Sequence, residues 1–99
     1  MILEVADIRI QAGRQQEFAE AVQRGVKVIA QAKGFCSYKV NHCLESPERY
    51  LLMIYWETLE DHTVGFRNSP GYTEWRAAVG SFFAEPPVVQ HFELLTRST

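Results

Sequence analysis

Ninety-nine residues, with 10 Lys and Arg against 12 Asp and Glu and a net charge of −2 when histidine is neutral, suffice for one folded domain and not for two. The mild acidity leaves no concentrated positive surface for nucleic acid, and 46% apolar with 22% charged residues is the balance of a chain that folds. The longest apolar run, Leu51 to Trp56, is far short of the roughly 20 residues that span a bilayer, and Glu4 and Asp7 interrupt any secretory leader. A single cytoplasmic domain over 1–99 with no membrane or nucleic-acid partner is expected.

Ile2 to Ile10 alternates as a strand does, with Ile2, Ala6, Ile8 and Ile10 on one face and Leu3 and Val5 on the other. Ala12-Gly13 breaks it. From Arg14 to Ala32 the period becomes helical, with Phe18, Val22, Gly25, Ile29 and Ala32 on one stripe. Gly25 within that stripe predicts a close approach to the sheet, and Lys33-Gly34 predicts the stop. Phe35 to Leu44 and Arg49 to Glu57 read as two strands joined by the turn Glu45-Ser46-Pro47-Glu48. Thr58, with Asp61 three residues on, caps a short helix over Leu59 to Arg67. Ser69-Pro70 then opens another, whose apolar face is Tyr72, Trp75, Val79 and Phe82 or Phe83. Glu85-Pro86-Pro87 ends that helix, and Val88 to Leu95 is the last strand.

Cys36 and Cys43 fall on one predicted strand, about 23 Å apart at ~3.3 Å per residue, beyond the ~7 Å a disulfide allows. They are expected to be reduced thiols in a reducing compartment.

The order β-α-β-β-α-α-β is a split β-α-β arrangement, an α+β fold of the ferredoxin-like class with a four-stranded antiparallel sheet. Helices cover one face of such a sheet, so the other should be polar. Here Leu51, Met53 and Tyr55 oppose Tyr50, Leu52, Ile54 and Trp56, and the first and last strands carry apolar groups on both faces as well. So large an apolar surface predicts that a second copy of the chain covers it, sheet against sheet.

The stretch from Tyr55-Trp56-Glu57-Thr58-Leu59-Glu60-Asp61-His62 through Phe66-Arg67-Asn68-Ser69-Pro70 and Tyr72-Thr73-Glu74-Trp75-Arg76 to Phe83-Ala84-Glu85-Pro86-Pro87 resembles the antibiotic biosynthesis monooxygenase family. The resemblance implies a homodimeric α+β barrel and, within a superfamily of several activities, a cofactor-free oxygenase of aromatic compounds. The chain departs from the family pattern at Phe66 and Gly71, where many members carry histidine. It departs again at Arg76, aligned with the axial histidine of the heme-degrading branch. Arginine stays protonated and does not ligate iron, which argues against heme degradation.

A cofactor-free oxygenase must enclose an electron-rich ring such as a hydroquinone or anthrone, remove a proton, and stabilise the resulting oxyanion before molecular oxygen reacts. His62 is the candidate base, with Tyr72 or Trp56 as donor. Phe66, Trp75, Arg67 and His91 are candidate substrate contacts, and Arg76 is a second guide for an acidic or phenolate group. The same aromatics also fit a plain hydrophobic core, and His62 a solvated helix start. His42, His62 and His91 lie on separate elements without metal-ligand spacing, so no metal site is expected. A binding or stress-related barrel without turnover is the alternative to an enzyme.

Overall fold

The computed structural model describes all 99 residues. Strands β1 (Ile2–Arg9), β2 (Phe35–His42), β3 (Arg49–Trp56) and β4 (Val88–Glu93) form one sheet in the order β2-β3-β1-β4, every neighbouring pair antiparallel. Helices α1 (Gln15–Ile29) and α2 (Pro70–Val79) complete the ferredoxin-like α+β fold. In β1 and β3 burial alternates strictly: Glu4, Ala6, Ile8, Tyr50, Leu52, Ile54 and Trp56 are buried beneath the helices. Leu3, Val5, Leu51, Met53 and Tyr55 lie half-buried on the other face. The Cα extents, 35 × 35 × 19 Å, are those of one sheet and one helical layer, so that second face is open within the chain.

The core beneath the helices joins Phe18, Val22, Val26 and Ile29 of α1 to the covered face and to Trp75 and Val79 of α2. Phe18 is the hub, with ring centroids 4.7 Å from Tyr50 and 5.7 Å from Phe82. Gly25 serves a different neighbour from the one expected. A Cβ there would stand 2.7 Å from Trp75 Cε3, so the glycine brings α1 close to α2 rather than to the sheet.

Helix α1 ends at Ile29, short of the expected Ala32, because the chain tightens: Gln31 N–H bonds the Val28 carbonyl and Ala32 N–H the Ile29 carbonyl. Gly34, at φ +83°, carries the reversal, and a Cβ on it would collide with the Asp61 carboxylate. Strand β4 stops at Glu93 rather than Leu95. Its one partner, β1, begins at Ile2 opposite Glu93, so Leu94 and Leu95 have no ladder to join. The two cysteines are free. No helix is long and apolar enough to cross a membrane.

The segment expected as a short α-helix is wider. Thr58 caps as expected, its Oγ1 accepting the Asp61 N–H at 3.1 Å. From Asp61 to Phe66 the chain then adopts a π-type turn, in which Arg67 N–H reaches back five residues to the His62 carbonyl at 3.1 Å. The turn buries His62 and Phe66 on its inner side. Ser69 stands at the start of α2 ahead of Pro70, but its hydroxyl donates backward to the Phe66 carbonyl at 2.7 Å, tying the wide turn to the helix.

Candidate active site

Between the covered face of the sheet and the helices lies a cavity of about 210 Å³. Its floor is Glu4, Ala6 and Ile8 of β1, Leu52 and Ile54 of β3, and Val89 of β4. His62, Phe66 and Arg67 from the wide turn and Tyr72, Trp75 and Arg76 from α2 form the opposite wall, with Phe83, Pro86 and Pro87 beyond them.

Glu4 is the residue that the sequence reading overlooked. It sits in the central strand β1, at a position whose neighbours on the same face are Ile2 and Ala6, and it is only 5% exposed. A carboxylate there must find donors, since an unpaired buried charge is costly. Trp56 Nε1–H donates to Glu4 Oε1 at 2.9 Å, and His62 Nε2 lies 3.3 Å from the same oxygen. The signal was available in the sequence: an acid in phase with the apolar side of an alternating strand.

His62, 3% exposed, lies over Trp56 with ring centroids 5.4 Å apart and near-parallel planes. Its Nδ1 is 2.8 Å from Nε2 of His91, which stands directly across from Glu4 in the β1–β4 ladder. The result is a continuous hydrogen-bonded row, Glu4–His62–His91. Two proton arrangements satisfy it. With Glu4 ionised, His62 donates from Nε2 to the carboxylate and accepts at Nδ1 from His91. With Glu4 protonated, the acid donates to Nε2, and His62 Nδ1–H donates to His91. Passing from the first to the second takes up one proton and shifts every donor by one place, which is how a proton relay works.

The electrostatics favour the uncharged forms. Burial pushes the Glu4 carboxyl above its usual range, opposed by the Trp56 hydrogen bond and the Arg67 charge. Burial, followed by the charges of Arg67 and His91, holds the His62 imidazole down at about 4. Burial and Arg67 lower His91 as well. At neutral pH His62 is therefore a neutral imidazole, able to accept a proton at one nitrogen while donating at the other.

His62, Phe66, Arg67, Tyr72 and Trp75 are thus brought to one cavity, as is Arg76. Trp56 and His91 are not in its wall. Trp56 is fully buried, and its indole N–H, considered above as an oxyanion donor, is engaged by Glu4. His91 backs His62 from the neighbouring strand. His42 is elsewhere, its Nε2–H donating to the Pro47 carbonyl 2.7 Å away and its ring stacked on Tyr50. No group of three or more His, Cys, Asp and Glu side chains is arranged to hold a metal ion.

A profile of the antibiotic biosynthesis monooxygenases matches residues 1–78. The chain belongs to this family. The Bacillus subtilis (strain 168) protein YczJ, itself uncharacterized, is 41% identical over 93 residues, 94% of this chain and 98% of that one. A crystal structure from Bordetella bronchiseptica, of a protein assigned to the antibiotic biosynthesis monooxygenases, superposes with a TM-score of 0.93 at 38% identity, covering 96% of this chain and 97% of the other. One from Nitrosomonas europaea, similarly assigned, shares the fold at a TM-score of 0.81 and 19% identity, covering 97% and 100%.

Within this member of the antibiotic biosynthesis monooxygenase family, two of the departures noted in the sequence meet in space. Phe66 and Gly71 pack together, a Cβ on Gly71 standing 3.3 Å from Phe66 Cε1, and the Phe66 ring meets Tyr72 edge-on at 5.8 Å. The third, Arg76, faces the cavity.

Proposed function

We propose that the protein is a homodimeric, cofactor-independent monooxygenase that acts on a small phenolic or quinol compound, each chain acting as one domain over residues 1–99. The observation that carries this reading is the Glu4–His62–His91 row ending at an aromatic-lined cavity. In its ionised form the Glu4 carboxylate, backed by the neutral His62 imidazole, is the proton acceptor of the cavity, and acid–base catalysis of this kind contributes roughly 10²–10⁴-fold. The phenol proton passes to Glu4 and His62 and leaves toward His91. Tyr72, whose oxygen is 3.5 Å from Arg76 Nη1, keeps its own O–H free to donate to the developing phenolate. The phenolate gives one electron to molecular oxygen, and the two radicals join through a new ring C–O bond. Cleavage of the O–O bond releases water and leaves the quinone; phenol plus O₂ balances quinone plus H₂O. Trp56 acts through Glu4 as a positioning residue.

The volume of about 210 Å³ favours one ring with its substituents over a three-ring anthrone, since a cavity of ~150 Å³ accepts benzene. The open sheet face supports the dimer: Leu3, Val5, Leu51, Met53 and Tyr55 are half-buried there, with Phe92 exposed at the β4 edge. Two free thiols suit a reducing, cytoplasmic setting.

Oxygen uptake with a panel of quinols and naphthols tests the reading. Wild type is expected to consume oxygen, and Glu4→Gln or His62→Ala to lose at least 100-fold in kcat. Glutamine still accepts from Trp56 and bonds His62, so E4Q is expected to melt no lower than wild type at neutral pH. Folding raises the carboxyl pKa, so the stability that protonated Glu4 gives is lost as the pH rises from 4.5 through the raised value. Absence of uptake on every substrate would leave a binding protein instead.

A further inference from the structure

Two arginines at the cavity remain unexplained by proton transfer. Arg67 leaves the wide turn and Arg76 lies one turn along α2 from Tyr72, and both line the cavity. They converge on one ring: Arg76 Nη1 is 3.5 Å from the Tyr72 oxygen, and the Arg67 guanidinium carbon is 5.8 Å from the Tyr72 centroid. Neither takes part in an ion pair, whereas Arg9, Arg14 and Arg49 each have a carboxylate partner. Glu4 is the one acid in the cavity wall, and its oxygen is already engaged by Trp56 and His62. A chain of net charge −2 therefore presents a locally positive, partly apolar recess. Guanidinium groups with open donors beside an aromatic plank are the chemistry that holds a carboxylate.

We propose that Arg67 and Arg76 form an anion-binding subsite, and that the ligand is a single-ring hydroxylated aromatic carboxylate, its carboxylate at the two guanidinium groups and its hydroxyl toward Glu4. This rests on the cavity being a site for phenols and adds the acidic substituent. The two ends of such a molecule have different partners: Glu4 stands on β1 in the floor, whereas Arg67 leaves the wide turn beside His62 and Arg76 stands farther off on α2.

Binding, read by quenching of tryptophan fluorescence or by titration calorimetry under anaerobic conditions, tests it with two probes that differ by one free carboxylate: 2,5-dihydroxybenzoate and its methyl ester. Wild type is expected to bind the acid at least tenfold tighter than the ester, with the difference shrinking as salt is raised. Arg67→Gln and Arg76→Gln are each expected to lose most of that preference, and the double variant all of it. Equal affinity for acid and ester in wild type, or an undiminished preference in the double variant, overturns the proposal. A strong acid preference without oxygen consumption would sustain the subsite while overturning the monooxygenase reading, so the two fail separately.

Discussion

On the covered face of the sheet, a carboxylate, two imidazoles and an indole N–H bond one another inside an apolar shell. On the open face the arrangement is inverted: Leu3, Val5, Leu51, Met53 and Tyr55 occupy the centre, Lys39 stands beside Met53 on the edge strand, and at one end Arg49 Nε and Nη2 donate to Asp7 Oδ1 and Oδ2 at 3.1 and 2.8 Å. Polar groups in a core are tolerated when every one is satisfied, and here no buried side-chain nitrogen or oxygen lacks a partner. Hydrocarbon left half in water has no such remedy except cover. The contrast separates a face whose polar groups satisfy one another inside the chain from a face whose apolar groups have no cover within it.

The largest test of that contrast is a matched pair of truncations. Leu52 and Leu51 are adjacent in β3 and point to opposite faces. Leu52→Ala is expected to cost roughly 2–5 kcal/mol in denaturant unfolding at any protein concentration, as a fully buried leucine does. If the proposed dimer covers it, Leu51→Ala is expected to destabilise in a way that grows as the protein is diluted. A small loss independent of concentration would show the open face bare.

Next in size is the response to acid, which should belong to the covered face. Folding lowers the His62 pKa from 6.5 to about 4, so the stability it confers is complete above 6.5 and is lost as the pH falls toward 4. The slope approaches about 1.4 kcal/mol per pH unit in that window, less whatever Glu4 returns as it gains its proton. Melting temperatures measured from pH 7 to 4 should fall more steeply for wild type than for His62→Gln; parallel curves would remove His62 as the source.

The smallest effect is expected from the open face. Asp7→Asn breaks a two-bonded ion pair that is about one-third exposed on each side, and a pair so placed should cost less than about 1 kcal/mol. Arg49 holds the Asp7 carboxyl below its usual range, so the difference from wild type should disappear on acidification. A persistent difference at low pH would mean that the aspartate matters for packing rather than charge.

The same contrast decides what could be read from the amino acids. Period-two alternation in β1 and β3 exposes both faces, and the Thr58 and Ser69-Pro70 signals mark where the segments after β3 begin. Those signals depend on neighbours within a few residues. The end of β4 depends on where β1 starts, the role of Gly25 on Trp75, and the partnership of His62 with His91 on a ladder that joins residues far apart in the chain. The π-type turn was illegible for another reason: spacings of three and four residues suit an α-helix as well, and one wider hydrogen-bonded loop decides between them. Glu4 is legible as an acid in phase with Ile2, Ala6 and Ile8, but its partners Trp56 and His62 lie far along the chain.

The cavity draws its two walls from separate stretches of the polypeptide. The buried carboxylate of Glu4 lies on β1, held by ladders on both sides, whereas the side chains from Phe66 to Pro87 that face it come from one uninterrupted run. Exchanging that run between homologues would therefore reshape one wall over an unchanged strand floor, and it would also replace Phe66 and Arg67, which touch or charge the Glu4–His62–His91 row.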